Sequence, residues 1–176
     1  MREELLELMP EFNLIQDKSL LEKTLKVWEY ALKENGWKIE DLLEMPFTLL
    51  IEKPPANIIT HTRAVTLTSL RIAEAMIDVY KEKISINQDY LIAGALLHDV
   101  GKLYEFRKEG SKFVKSRLGK IIRHPISGAA LAYKFALPEE IVHIIAAHSK
   151  EGETVKRTVE AIIVHHADFV NFEPFK

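Results

Sequence analysis

The sequence predicts an all-α protein. Apolar residues recur at helical spacing in nearly every segment, no alternating apolar and polar stretch reaches useful strand length, and no repeat or low-complexity tract breaks the pattern. At 176 residues the chain is long enough for one domain with a substantial core.

Taken in order, the first stretch MREELLELMPEF is charged and has no apolar signal-like core. No apolar run approaches the roughly 20 residues of a membrane span. A soluble, untargeted, cytoplasmic protein is expected. Ser19-Leu20-Leu21-Glu22 has the spacing of a capping box and opens a helix running through Trp28 and Leu32 to a stop at Asn35-Gly36. A short helix from about Ile39 to Met45 follows. Prolines at 46, 54 and 55 forbid continuous helix between Pro46 and Asn57, which is expected to wrap as a connector. Residues 1–56 are thus expected to form an N-terminal helical extension packed on the core, and residues 57–176 the main domain. The extension carries no evident catalytic group; covering a pocket, selecting substrate and forming a homodimer contact all stay open for it.

Five further helices are predicted, from about Thr60 to Lys83, Asp89 to His98, Pro125 to Leu137, Pro138 to His148, and Lys156 to Phe172. The stretch DYLIAGALL before His98 is apolar on all sides after its first residue, as befits a central helix covered by others. Gly94 and Ala95 share a face with His98 and would admit a close neighbour, for which the helix carrying His61, Ala64 and Thr68 is the natural candidate. Ser127 and Gly128 in HPISGAALA repeat the device.

Composition limits the chemistry. A net charge of −2 gives no global basic field for unspecific nucleic-acid binding, although local basic patches stay open. With no cysteine, disulfides and thiolate metal sites are excluded, so a metal must be held by His, Asp, Glu or backbone. The histidines stand where such ligands would converge: His61 in the first turn of its helix, His98 and His148 at helix ends, His124 just before Pro125. Singly, each has a plain explanation, since imidazole is favoured near a helix C-terminus and His124 suits a turn. The dyad His98-Asp99 asks for more, because two ionisable groups at the end of an apolar run are costly to desolvate without a partner. In VEAIIVHHADF, Asp168 falls three residues after His165, so the two share a face. His143 points away from the stripe Ile141, Ile144, Ile145, His148 and is left out of the site.

The order His61, His98-Asp99, His124, His148, Asp168, with HDVGK and RHPISGA, resembles the HD superfamily of metal-dependent phosphohydrolases, in the branch whose H…HD…H…H…D arrangement supports two metals. The likeness spans about residues 57 to 172. In local texture it is most similar to HD proteins related to exoribonucleases and cyclic phosphodiesterases, without a recognisable OB-fold module or the GYP signature of cyclic-di-GMP phosphodiesterases. The resemblance implies an HD-domain helical bundle with additional N-terminal helices. It implies that His61, His98, Asp99 and Asp168 hold one divalent transition metal ion, and that Asp99 bridges to a second held by His124 and His148. Mn, Fe, Co, Ni and Zn all suit these donors. Phosphoester hydrolysis by a metal-activated hydroxide is then expected, with Asp99 and Lys102 as catalytic residues and Lys102, Arg123 and His165 as substrate contacts. Arg63 and Lys120 are further cations near the ligands in sequence. His165 has two open roles, protonating the leaving oxygen or orienting a ligand. Gly101 is expected to end the dyad's helix and turn the chain away. The expected substrate is small, phosphorylated and nucleotide-like, with RNA open but not favoured. An HD-type di-iron oxygenase and a metal- or nucleotide-binding regulatory module without turnover remain alternatives.

Overall fold

The computed structural model describes residues 1–176 and is helical apart from one hairpin. In chain order the helices are α1 (Arg2–Leu8), α2 (Lys18–Asn35), α3 (Ile39–Glu44), α4 (Ile58–Tyr80), α5 (Gln88–Leu97) and the single turn α6 (Lys102–Glu105). After the hairpin β1 (Phe106–Glu109) and β2 (Lys112–Lys115) come α7 (His124–Lys134), α8 (Glu139–Ala147) and α9 (Val159–Val170). Helix α5 is central: every residue from Leu91 to Leu97 is buried, and α2, α4, α8 and α9 pack around it. An element without a polar face must be enclosed this way to be stable. No helix is long and apolar enough to cross a membrane.

The N-terminal helices share one apolar cluster with the rest, in which Leu5, Phe12, Trp28 and Leu42 pack with Leu96, Leu97, Val100 and Leu103. Both tryptophans donate their indole N–H to backbone flanking the dyad, Trp28 to the Leu96 carbonyl at 3.0 Å and Trp37 to that of Leu103 at 2.8 Å. These bonds occupy carbonyls that the ends of short helices would otherwise leave unpaired in the core. The segment after α3 closes into a loop through a Pro46–Asn57 bridge, so that Phe47 turns inward and is only 1 % exposed.

Several expectations are corrected. Helix α2 is capped by Asp17, whose side chain accepts from the N–H groups of Ser19 and Leu20, and not by a box built on Ser19. The hairpin was not expected. Its strands are four residues each, too short for a period-2 signal, and Phe113 finds its apolar partner outside the hairpin by stacking on Trp37 at 6.0 Å. A two-residue Gly-Ser loop, with Gly110 at φ +60, was the local clue. Gly94 faces Ile144 of α8 and not α4: a Cβ there would come within 2.7 Å of the isoleucine. Gly101 does not end a helix through a left-handed conformation; its φ is −62, and its role is close approach. A Cβ on it would sit 2.1 Å from the His124 carbonyl and 2.8 Å from the Gly128 nitrogen.

Candidate metal centre

The loop after α5 carries the dyad. His98 keeps helical φ and ψ, and its Nδ1 lies 2.6 Å from the Ala95 carbonyl. A carbonyl oxygen only accepts, so Nδ1 bears the ring proton and Nε2 turns a lone pair inward. His148 repeats the construction past α8, with Nδ1 donating to the Ile145 carbonyl at 2.7 Å. His124, in the first turn of α7, donates from Nδ1 to Glu105 Oε2 at 2.8 Å, and its backbone N–H binds the same oxygen at 2.8 Å. The near-contact of Gly101 with Gly128 and the His124 carbonyl lets α7 bring His124 beside Asp99. His61 comes from the first turn of α4, its ring stacked on Phe47 at 4.5 Å.

These rings divide the Asp99 carboxylate between them. Oδ2 lies 3.3 Å from His98 Nε2 and 3.6 Å from His61 Nε2, while Oδ1 lies 3.2 Å from His124 Nε2 and 3.9 Å from His148 Nε2. Asp168, from α9, joins the first pair with Oδ1 at 3.0 Å from His61 Nε2 and 3.9 Å from His98 Nε2. Two groups of metal-ligating atoms result, His61-His98-Asp99 and Asp99-His124-His148.

The donors fit cations better than they fit one another. His98 Nε2 is buried with no hydrogen-bond partner, and the Nε2 atoms of His124 and His148 face each other at 3.3 Å. With both ring protons held on Nδ1, the two facing lone pairs repel, whereas a cation between them would accept both. Nitrogen and carboxylate donors without sulfur suit first-row transition ions.

Electrostatics act differently on the several donors. Burial, aided by the neighbouring His98 and His124, lowers His148 to about 3, so it stays neutral at physiological pH. Burial also lowers His61 against the pull of Asp168 and Asp99, while in His98 burial, the largest single influence, is outweighed by Asp99, Asp168 and the Ala95 carbonyl together, which raise the ring. Burial disfavours the Asp99 and Asp168 carboxylates, yet both lie well below the usual carboxylate range. Lys102 and His98 dominate at Asp99, and His61 and His98 at Asp168. Glu105 is likewise disfavoured by burial, but its hydrogen bonds from His124 hold it at about 2.

A cavity of about 260 Å³ opens beside the centre, lined among others by His61, His124, Asp168, Lys102 and Arg123. Lys102 Nζ bridges Asp99 Oδ2 and the Phe47 carbonyl, each at 2.5 Å. Arg123 stands at the rim, 3.3 Å from Glu151. His165 is not on the wall; its Nδ1 donates to the His148 carbonyl at 2.7 Å. Arg63 is taken up by Glu11, Lys120 lies off the cavity, and His143 accepts from the Thr158 N–H, away from the centre. A larger hollow of about 610 Å³, near Asn35, Trp37, Tyr104 and Arg117, holds neither of the ligand groups.

Two contributors escaped sequence reasoning. Glu105 carries no signal of its own, because its burial and its bonds depend on His124 at the start of α7 and on the segment after the hairpin, brought alongside only by the fold. Phe47 lay in a proline-rich connector with nothing to mark it as inward-facing.

The sequence profile of the HD domain matches residues 58–170, a span that includes all six converging His and Asp residues. The chain belongs to the HD domain family. HD domains bind divalent metals, and the paired clusters could hold them. The chain is 36 % identical over 130 residues to a dihydroneopterin 2′,3′-cyclic phosphate phosphodiesterase of Methanocaldococcus jannaschii, covering 67 % of this chain and 51 % of that protein. It is 34 % identical over 93 residues to ribonuclease Y of Acidothermus cellulolyticus, covering 53 % of this chain and 16 % of that protein. For ribonuclease Y of Lawsonia intracellularis the identity is 35 % over 113 residues, covering 64 % and 18 %. The chain therefore spans about half the length of the phosphodiesterase and under a fifth of each ribonuclease. No solved structure matches it significantly.

Proposed function

We propose that this HD domain protein is a metal-dependent phosphohydrolase acting on a small, nucleotide-like phosphodiester at a binuclear centre. The observation that carries the reading is the division of the Asp99 carboxylate, one oxygen toward His61 and His98 and the other toward His124 and His148. A carboxylate shared between two pairs of imidazoles is the donor arrangement of a two-ion site. Similarity to a protein named for a cyclic phosphate phosphodiesterase supports the substrate class.

In this reading His61, His98, Asp99 and Asp168 would hold one divalent ion, and His124, His148 and Asp99 the other. Such a pair would supply Lewis acidity toward a phosphoryl group and a nucleophile at neutral pH. The two aspartates offset only part of the positive charge, leaving room for an anionic substrate. Lys102, already on the cavity wall, offers its ammonium to a phosphate oxygen and to charge developing in the transition state. Arg123 at the rim is placed for a charge-assisted contact with the same group. His165 acts through His148, fixing the carbonyl of the residue that holds the second ion.

The test is Asp99→Ala in the metal-loaded protein. Metal content by elemental analysis is expected to fall for both ions together, and turnover of 2′,3′-cyclic nucleotides to vanish. Full activity in the variant overturns the reading. A panel of bis-p-nitrophenyl phosphate, nucleoside monophosphates and short RNA, with Mn, Fe, Co, Ni or Zn added in turn, assigns substrate and metal. Oxygen uptake by the iron-loaded protein without phosphoester turnover would indicate oxygenase chemistry instead.

A further inference from the structure

The cavity beside the centre has two walls of different chemistry. One presents His61, His124, Asp168 and the ammonium of Lys102. The other is apolar, made by Phe169 of α9, Phe172 in the turn just after it, and Leu49 and Leu50 from the 46–57 loop. This wall exceeds what the core requires. Helix α9 already buries Ala161, Ile163, Val164 and Ala167, whereas Phe169 and Phe172 are only half-buried and Leu50 is 72 % exposed. Large apolar side chains left open around a polar site are the usual lining of a small-molecule pocket.

The walls are joined ring to ring. Phe172 meets Phe47 edge-on with centroids 6.3 Å apart at 78°, and Phe47 stacks on His61 at 4.5 Å. A flat group resting on Phe172 therefore lies one side chain away from a candidate metal ligand. The volume of about 260 Å³ lies just below the roughly 300 to 1,000 Å³ of ordinary ligand sites and is open to solvent at its mouth, which suits a small ester and not a polymer. Lys115, Arg123, Lys150 and Lys176 also line the cavity, with Lys115 paired to Glu105, Arg123 to Glu151, and Glu173 the exposed carboxylate among them, so the cations outnumber the exposed acids there.

We propose that Phe169, Phe172 and the Leu49-Leu50 turn form a subsite that grips the planar heterocycle of the substrate while its phosphate lies at the metal centre. The proposal rests on the phosphohydrolase reading and narrows it to phosphate esters of aromatic heterocycles, as opposed to ring-free sugar or glycerol phosphates. Stacking on an aromatic face tolerates different rings, so the subsite selects for flatness, and the groups on the ring edge set finer preference.

The test compares adenosine 2′,3′-cyclic phosphate with the ring-free glycerol 1,2-cyclic phosphate in the metal-loaded protein. Phe172→Ala is expected to raise KM for the adenosine ester about tenfold, the loss of one stacking contact, and to leave KM and kcat for the glycerol ester unchanged. Calorimetric binding of adenosine 2′-monophosphate should weaken by the same factor while binding of inorganic phosphate does not. Phe172→Trp should preserve both. Phe172→Leu, which keeps the bulk but not the flat face, replaces the alanine variant if that variant does not fold. Equal effects on the two esters, or none on either, overturn the subsite and leave the phosphohydrolase reading standing. A loss confined to short RNA, with the mononucleotide unaffected, also overturns it in favour of a nucleic-acid groove. If the wild-type protein hydrolyses neither these two esters nor any member of the panel above with any of the metals, the phosphohydrolase reading itself falls.

Discussion

Glu105 shows how much one side chain outside the ligand set can decide. One oxygen accepts both the Nδ1–H and the backbone N–H of His124, and the other lies 3.4 Å from Lys115 Nζ. That fixes the ring plane, the tautomer and the position of the α7 terminus at once. Glu105→Gln keeps the shape but removes the charge that makes the imidazole a better donor. We expect roughly 10- to 100-fold weaker binding of one of the two ions, seen as a split in a metal titration that is absent in the wild type. The same residue sets an acid limb of stability in the metal-free protein. Its folded value of about 2 lies below the ordinary 4.5, so its contribution is complete above about pH 4.5 and fades as pH falls toward 2. Urea denaturation at pH 6 and pH 3 should therefore show a smaller acid loss in Glu105→Gln than in the wild type.

At the scale of elements, the centre is assembled by helix ends, and small residues set how closely those ends approach. The loop after α5 touches the start of α7 through Gly101 and Gly128, where a Cβ on Gly101 would fall 2.1 Å from the His124 carbonyl. Backbone cannot yield there without moving His124 away from Asp99. Gly101→Ala is expected to cost about 3 kcal/mol or more, measurable as a shift of the denaturation midpoint, with loss of metal binding even where the fold survives. Both α5 and α8 end in a histidine that donates to the carbonyl three residues earlier, satisfying the helix end and aiming Nε2 inward. The dipole account of a terminal imidazole and the ligand account are thus compatible, since one nitrogen serves each.

Across the whole molecule, the N-terminal helices are tied to the part that carries the converging His and Asp residues by the indoles of Trp28 and Trp37 and by a shared apolar cluster. Because the converging donors come from α4, the loop after α5, α7, the end of α8 and α9, occupation of the centre links most of the fold. A ligand at 100 times its Kd adds about 2.7 kcal/mol to stability, and in a chain of this size each kcal/mol shifts Tm by about 2 to 4 °C. Loading with the preferred ion should therefore raise Tm by roughly 5 to 10 °C, and a chelator should reverse the gain. An unchanged melting curve under saturating metal would mean that the ligands do not act together.

The sequence by itself determined the helical class, the order of the main helices, the exclusion of thiolate chemistry, and the set His61, His98, Asp99, His124, His148 and Asp168 as candidates. Periodicity of 3.6 is a local property, and ligand residue types in fixed order survive without knowledge of packing. Only the tertiary structure decided that the two oxygens of Asp99 face different histidines, that Lys102 bridges Asp99 and the Phe47 carbonyl, and that His165 braces His148 away from the cavity wall. It also replaced Ser19 by Asp17 as the cap of α2, revealed the short hairpin, moved the partner of Gly94 from α4 to α8, and turned Gly101 from a helix end into a close contact with α7. Burial, ring orientation and close backbone approach are set by what another element brings alongside. A proline-rich connector and a four-residue strand carry no periodic pattern from which such neighbours can be inferred.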